Sequence, residues 1–398
     1  MGVAGGNRDP LEERAFEGTD PFEEAVTLAP SRVLARIDDE LRALWATPPV
    51  EGQPLKSRAC TMNLVVVAGT PALATQSVAF VDELVKNIPA RAIVVGMDPD
   101  GPDDLEASVT AVCSPDVGGG TVVCSERVTL VTRGVLCNRL SSCVQAICAT
   151  DVPMTLVWLA RVHSDDPAFA PLAREASRVV LDAGQNSIAS LSHAVLWARS
   201  RPVDERPRIA DLAWSRLASW QELCARMFDP QRLRGLVRKI TRVSLVQASP
   251  MEAPLGSEGA LLLGWMATRL GWKTASLGGK LRLARPDGGY IQTHVRAATV
   301  GWAARGSLLG LEVEASADGV AMRGEVTCQN SAQAGDATWR VQVTEGGETQ
   351  RLEQHMRLRA SGTAAVLERT LHRPPEDEAL ADAAIWADEL RGEELANA

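Results

Sequence analysis

The sequence predicts an α/β part followed by an α+β part: an N-terminal mixed sheet with covering helices, then a C-terminal half rich in antiparallel strands. Three observations carry this. The unbroken apolar runs MNLVVVA and RAIVVGM flank a helix-period segment, which is the pattern of a βαβ unit buried on both faces. The segments LEASVTAVCS and TVVCSERVTLVT alternate and are joined by a Gly-rich turn, so they predict an antiparallel hairpin. Beyond residue 238 short alternating strands are separated by PDGG, SADG and NSAQAGD, turns that suit antiparallel neighbours.

In chain order, the first thirty residues are polar and Gly-rich and predict a flexible extension. Residues 31–45 then place Val33, Ile37, Leu41 and Leu44 on one helical face, with Ser31 as N-cap. TPPVEGQP breaks that helix and reads as a linker. After the βαβ unit and the hairpin come a helix over 134–148, the buried strand MTLVWLA, a helix opened by SDDP, the strand RVVLDAG, and a helix over 187–199. The segment DLAWSRLASWQELCARMFDP is the next helix. KITRVSLVQAS, a helix in EGALLLGWMATRLGW, and the strands KLRLAR, YIQTHVRAATV, LLGLEVEAS, AMRGEVTCQ and ATWRVQVTE follow. The expected division is an extension over 1–54, an α/β domain over 55–165, an α+β domain over 166–372, and an acidic helix or tail over 373–398. A single sheet continuing past 165, with a break near 230–257, is the physical alternative.

The net charge of −9 over 398 residues argues against phosphate-backbone binding, so no nucleic acid is expected. No apolar run reaches the roughly 20 residues that span a bilayer, and the N-terminus lacks a basic and an apolar secretory region. These features predict a cytoplasmic chain with no membrane partner. Residues 376–394 hold eight acidic residues and one basic one. Such a tail is expected to compete with a partner for the basic strip from Arg232 to Arg242.

Catalytic signatures are absent: there is no glycine-rich dinucleotide turn, no phosphate loop, no HExxH and no GxSxG. No catalytic residue, cofactor or metal is therefore expected. The eight cysteines form no CxxC and no zinc spacing. Cys113 and Cys124 flank the hairpin turn and can face each other across two strands, which makes them candidate redox thiols; the compartment favours two unpaired thiols. Asp151, Asp165, Asp166 and Asp182 fall at strand and helix ends, where turn and cap roles are expected before metal binding.

Two features remain as candidate partner surfaces. Arg232, Arg234, Arg238, Lys239 and Arg242 lie in a stretch from Pro230 to Met251 without an acidic residue, which suits an acidic partner or an anionic metabolite. On the tryptophan helix, Ala213, Leu217, Trp220, Cys224, Met227 and Phe228 share one face, opposite Ser215, Glu222 and Arg226. Trp220 therefore points to the core, whereas Trp214 sits at the edge of the apolar arc. Trp214 and its neighbour Arg216 are expected at the rim of the core or in a partly exposed contact.

The ordered segments TMNLVVVA, RAIVV, CSERVTL, VPMTLVWL, DLAWSRLASWQELCARMFDP and GWMATRLGW resemble the glucose-6-phosphate dehydrogenase assembly protein family, OpcA, over residues 55–275. Asp211, Leu212, Trp214, Arg216, Leu217, Trp220, Leu223, Phe228, Asp229 and Pro230 follow that family's most specific pattern, and Cys124, Glu126, Thr129 and Leu130 follow a second. Gln221 stands where the family usually has Arg, and VPMTLVWLA carries Trp158 alone where the family often has two tryptophans. The resemblance implies a non-enzymatic partner that binds glucose-6-phosphate dehydrogenase, promotes its active oligomer and activates it allosterically, in the oxidative pentose phosphate pathway of bacteria. It also implies thiol regulation of the kind met in cyanobacterial relatives, with Cys124 inside a motif. The alternative from another class is an α/β enzyme or binding protein for a phosphorylated small metabolite.

Overall fold

The computed structural model describes residues 30–46, 55–115, 121–162, 166–251, 254–277, 280–329, 335–358, 362–373 and 377–396. The N-terminal extension, the TPPVEGQP linker, the tip of the Gly-rich turn and Asp165 lie outside the described residues. Two sheets of eight strands each organise the chain.

The first sheet is built from β1 (Leu55–Arg58), β2 (Asn63–Ala68), β3 (Arg91–Asp98), β4 (Asp104–Pro115), β5 (Thr121–Arg133), β6 (Met154–Trp158), β7 (Arg178–Leu181) and β8 (Arg208–Asp211). Its parallel strands run β1-β5-β3-β2-β6-β7-β8, of which β5 to β8 follow the doubly wound order, with β4 added antiparallel to β5. The continuous apolar runs are explained by cover on both faces. Every residue of β2 and β6 is buried. The sheet crosses residue 165 without a break and ends at Asp211.

The helices follow the local chemistry closely, with informative shifts. In α1 (Pro30–Ala46), Val33, Ile37 and Leu41 are buried against the first sheet, as their spacing predicts; Ser31 lies inside the helix and Pro30 opens it. A Thr-Pro pair starts α2 (Pro71–Asn87): Thr70 Oγ1 accepts from Leu73 N at 3.2 Å, and Pro71 occupies a first-turn position that needs no N–H. The segment expected as one helix over 134–148 is a 3-10 stretch, Gly134–Arg139, followed by α3 (Leu140–Ile147). Asp166 accepts from Ala168 N and Phe169 N ahead of α4 (Phe169–Glu175), and α5 is Ile188–Arg199.

Helix α6 (Leu212–Arg226) leads out of the first sheet, and an exposed 3-10 segment, Gln231–Lys239, leads into the second. The second sheet runs β10 (Lys273–Leu277), β11 (Lys280–Ala284), β12 (Tyr290–Ala298), β9 (Ile240–Ala248), β13 (Leu308–Ala317), β14 (Val320–Gln329), β15 (Asp336–Glu345) and β16 (Glu348–Arg357). Its pairs are antiparallel as the turns predict, except β12 with β9, which is parallel. Helix α7 (Ser257–Leu270) packs with α6, and Trp339 of β15 donates its indole N–H to Leu223 O at 3.0 Å.

The C-terminal helices are structural cover rather than a tail. Val366 and Leu367 of α8 (Thr363–His372) join the apolar cluster on the β2 and β3 face of the first sheet. Arg178 of β7 donates to the α8 carbonyls of Thr370 (2.8 Å) and Leu371 (2.7 Å). Helix α9 (Glu378–Ala396) buries Ala379, Leu380, Ala383, Ala384, Ala387 and Leu390 against α5 and α7. The helix has a packed place in the fold: of its described acids Glu378, Asp382 and Glu389 are exposed, and its alanines let two helices approach closely. A Cβ added at Gly264 of α7 would run into the main chain of Ala383. Gly264→Val should force α9 away from α7 and cost about 3 kcal/mol of stability, measured by denaturant unfolding; an unchanged midpoint would sink this reading of the crossing.

Candidate functional site

The site forms where the first sheet meets the second. Three acids and one arginine converge there, each placed by a different element. Asp182 follows the last residue of β7 and is 1% exposed. Asp211 ends β8 and caps α6: Oδ1 accepts from Trp214 N at 2.8 Å, while Oδ2 accepts from Ala183 N at 2.7 Å. Arg216 lies one turn further along α6, and Glu258 lies in the first turn of α7.

Arg216 joins them. Its Nη2 and Nη1 donate to Asp182 Oδ1 (2.8 Å) and Oδ2 (3.4 Å), and its Nε donates to Glu258 Oε1 at 2.6 Å. The other Glu258 oxygen accepts from Leu308 N of β13 at 2.8 Å. The guanidinium thus ties the first sheet to the second. Burial works against its charge, yet Asp182 and Glu258 outweigh that and raise its pKa. Asp211 is pushed up to about 7 by burial first and by the Asp182 charge second, against two backbone N–H groups and Arg216 that favour its ionised form.

Asp182, Arg216 and Glu258 form one wall of a cavity of about 600 Å³, with Asp211 buried behind them. The rest of the lining includes Gly184, Ser219, Trp220, Ser257, Trp302, Arg305 and the first residues of α8. It lies beside the carboxyl end of β7, the side of a parallel sheet on which such folds bind ligands. The doubly wound order also raises the question of a dinucleotide at the β2–α2 turn. That turn reads Ala68-Gly69-Thr70-Pro71, with one glycine; Pro71 has no N–H, and Thr70 already satisfies a first-turn donor. A Cβ on Gly96 of β3 would lie 2.7 Å from Pro71 Cα, so α2 starts tight against the sheet. These residues do not fit a pyrophosphate. Among the described residues no group of three His, Cys, Asp or Glu side chains is arranged to hold a metal, and no helix is long and apolar enough to cross a membrane.

The residues singled out in the sequence separate into three groups. Trp214 is 4% exposed and donates its indole N–H to Asp377 Oδ2 at 2.6 Å, so of the two positions expected for it the partly exposed contact gives way to the core. The wheel takes one buried side, whereas α8 packs on the polar side of α6 and Asp377 reaches Trp214; Ser215 is buried too, 2.7 Å from Thr370 Oγ1. Arg216 belongs to the cleft. In the basic stretch, Arg232, Arg234 and Arg238 are exposed on the 3-10 segment; Arg232 reaches Gln350 Oε1 (2.7 Å) and Arg234 reaches Asp229 O (3.2 Å). Lys239 instead pairs with Asp287 at 2.7 Å, and Arg242 with Glu314 at 3.4 Å. Cys113 and Cys124 are directly opposite in the β4–β5 ladder and form a disulfide, whereas two unpaired thiols were expected. Hairpin register, which a compartment argument ignores, brings them together. Asp182, expected as a turn or cap residue, and Glu258, not singled out, prove to be the arginine's partners.

Replacing Arg216 with Met leaves the acids without their cation and should cost about 3 kcal/mol at pH 8. The cost should shrink towards pH 5.5. Asp211 has a folded pKa above its unfolded one, so its protonated form is the one the fold favours, and stability falls as pH climbs from about 4 to about 7. Removing Arg216 deepens that penalty where Asp211 must ionise, on top of the loss of its pairing with Asp182 and Glu258. Equal losses of thermal midpoint at both pH values would contradict this assignment.

Comparison with known proteins gives the family. A model described as glucose-6-phosphate dehydrogenase subunit N-terminal domain matches residues 81–201, and one described as the C-terminal domain of that subunit matches residues 207–384. Relatives provisionally named OxPP cycle protein OpcA include one from Synechocystis sp., 25% identical over 73% of this chain and 61% of its own. Another, from Nostoc punctiforme, is 29% identical over 49% of this chain and 41% of its own. The chain thus spans about half the length of the curated relatives it matches. Among solved structures, glucose-6-phosphate 1-dehydrogenase from Mycobacterium avium aligns with a TM-score of 0.46 at 11% identity, over 84% of this chain and 92% of that one. The 3-ketoreductase KijD10 from Actinomadura kijaniata aligns with a TM-score of 0.44 at 8% identity, over 83% and 97%. Likeness at that level transfers no function. Two consecutive domain models in the right order, and relatives that match across them, place the chain in the OpcA family of glucose-6-phosphate dehydrogenase assembly proteins.

Proposed function

We propose that this chain is a non-enzymatic cytoplasmic partner that binds glucose-6-phosphate dehydrogenase and activates it, by promoting its active oligomer. The observation that carries the reading is the double family match, from residue 81 to residue 384. The β2–α2 turn supports it: a doubly wound sheet whose phosphate position is filled by a threonine cap and a proline suits a chain whose partner holds the dinucleotide. The exposed Arg232, Arg234 and Arg238 segment is the proposed contact, facing an acidic surface on the dehydrogenase.

Activation of this kind is a coupling between two binding events. If the chain raises the affinity of the dehydrogenase for its substrate, substrate raises the affinity of the dehydrogenase for the chain by the same factor. Titrating labelled chain into the same organism's dehydrogenase, with and without glucose 6-phosphate, tests this directly. Substrate affinity that shifts while partner affinity stays fixed would refute the two-site scheme. The double substitution Arg234→Glu, Arg238→Glu should weaken the complex roughly tenfold at low salt, with a smaller loss at high salt. Unchanged association, checked by size exclusion and by dehydrogenase kinetics, would remove this segment from the interface.

A further inference from the structure

The cavity between the two sheets has a wall chemistry that selects a ligand class. Its charged lining residues are Glu83, Asp182 and Glu258 against Arg216 and Arg305, an acidic excess of one. Arg216 is only partly consumed by its partners. A guanidinium carries five N–H groups. One on Nε goes to Glu258, and one on each Nη goes to Asp182, which leaves two donors. The acids keep acceptor capacity as well, since each carboxylate oxygen has two lone pairs and Asp182 Oδ2 takes only the 3.4 Å contact. Donors and acceptors thus alternate within one small wall. Partly exposed Trp302 adds an indole to the lining, and the volume of about 600 Å³ is that of a small-molecule site.

We propose that this cavity binds an uncharged polyhydroxylated molecule of sugar size. Each hydroxyl both donates and accepts, so a run of hydroxyls answers the alternation of carboxylate and guanidinium. A phosphate group in place of a hydroxyl brings acceptors only and meets the acidic excess, and an ammonium group brings donors only and meets the arginines. The apolar face of a polyol ring suits the indole. This inference does not rest on the dehydrogenase reading, because the ligand belongs to the chain alone.

The test uses the full chain without any partner. Saturation-transfer NMR and calorimetric titration with D-glucose and with myo-inositol should show saturable binding in the millimolar range. Glucose 6-phosphate and glucosamine should bind at least about tenfold more weakly, a difference the acidic excess and the arginine would impose. Trp302→Ala, in a loop, should abolish the signal while circular dichroism stays unchanged, and the surface variant Val203→Ala should keep it. Absence of saturable binding by both polyols, equal or tighter binding of glucose 6-phosphate, or survival of the signal in Trp302→Ala would each overturn the proposal. None of those outcomes bears on whether the dehydrogenase complex forms.

Discussion

The contact on which the arrangement depends is the guanidinium of Arg216, held between Asp182 at the end of the first sheet and Glu258 at the start of α7. Desolvating these charges opposes folding, and their mutual attraction offsets it only because nearly every oxygen has a donor. Asp182 also accepts from Gly184 N, Glu258 accepts from Leu308 N, and Asp211 accepts from two further backbone groups. The network contributes less to total stability than to position. It fixes where the second sheet begins relative to the strand ends of the first, and so it sets the shape of the cavity between them. Gly184 is part of that geometry: a Cβ there would stand 2.6 Å from Nη2 of Arg216.

The same seam explains why the C-terminus folds back across the molecule. Helix α8 lies on the first sheet although it follows the second in sequence, and α9 crosses α5 and α7. Trp214 links α6 to the residue before α9, through Asp377, and Arg199 of α5 pairs with Asp382 at 2.8 Å. One apolar cluster accordingly runs from α1, through α6, to β15 and α9. The two sheets are separate ladders, yet they do not have separate cores. A segment rich in acids can serve as a core helix because its alanines, not its charges, fall on the i, i+4 face.

Much of the fold was legible where burial is symmetric or strictly alternating. NLVVVA, RAIVV and MTLVW stand out because both faces of the sheet are covered, and the β4–β5 hairpin and the antiparallel second sheet follow from alternation and turn residues. The strands that escaped are β1, β8, β10 and β16. The first, second and third of these have four or five residues, too few for a period; β16 is exposed along nearly its whole length, so nothing in ETQRLEQHMR marks an inward face. The candidate site was half legible. Arg216 was noticed as part of a motif, but its acids come from residues 182, 211 and 258 and meet only through tertiary packing. A helical wheel also assumes one buried side, whereas α6 is enclosed by α7, α8 and β14.

The geometry of α6 relates the two proposed surfaces. Capped by Asp211, it holds Arg216 at the cavity, and the chain beyond its last turn becomes the exposed 3-10 segment with Arg232, Arg234 and Arg238. Leu233 and Leu236 anchor that segment in the core, so it is a packed extension of the helix end. A ligand in the cavity alters partner affinity only through a difference in its own affinity for two arrangements of the chain. A shift of α6 between the sheets would change both the Arg216 clamp and the position of the segment, which makes this helix the shortest physical route from one surface to the other. The route has a measurable signature: binding of a polyol and binding of the dehydrogenase must each change the other's affinity by the same factor, or by none.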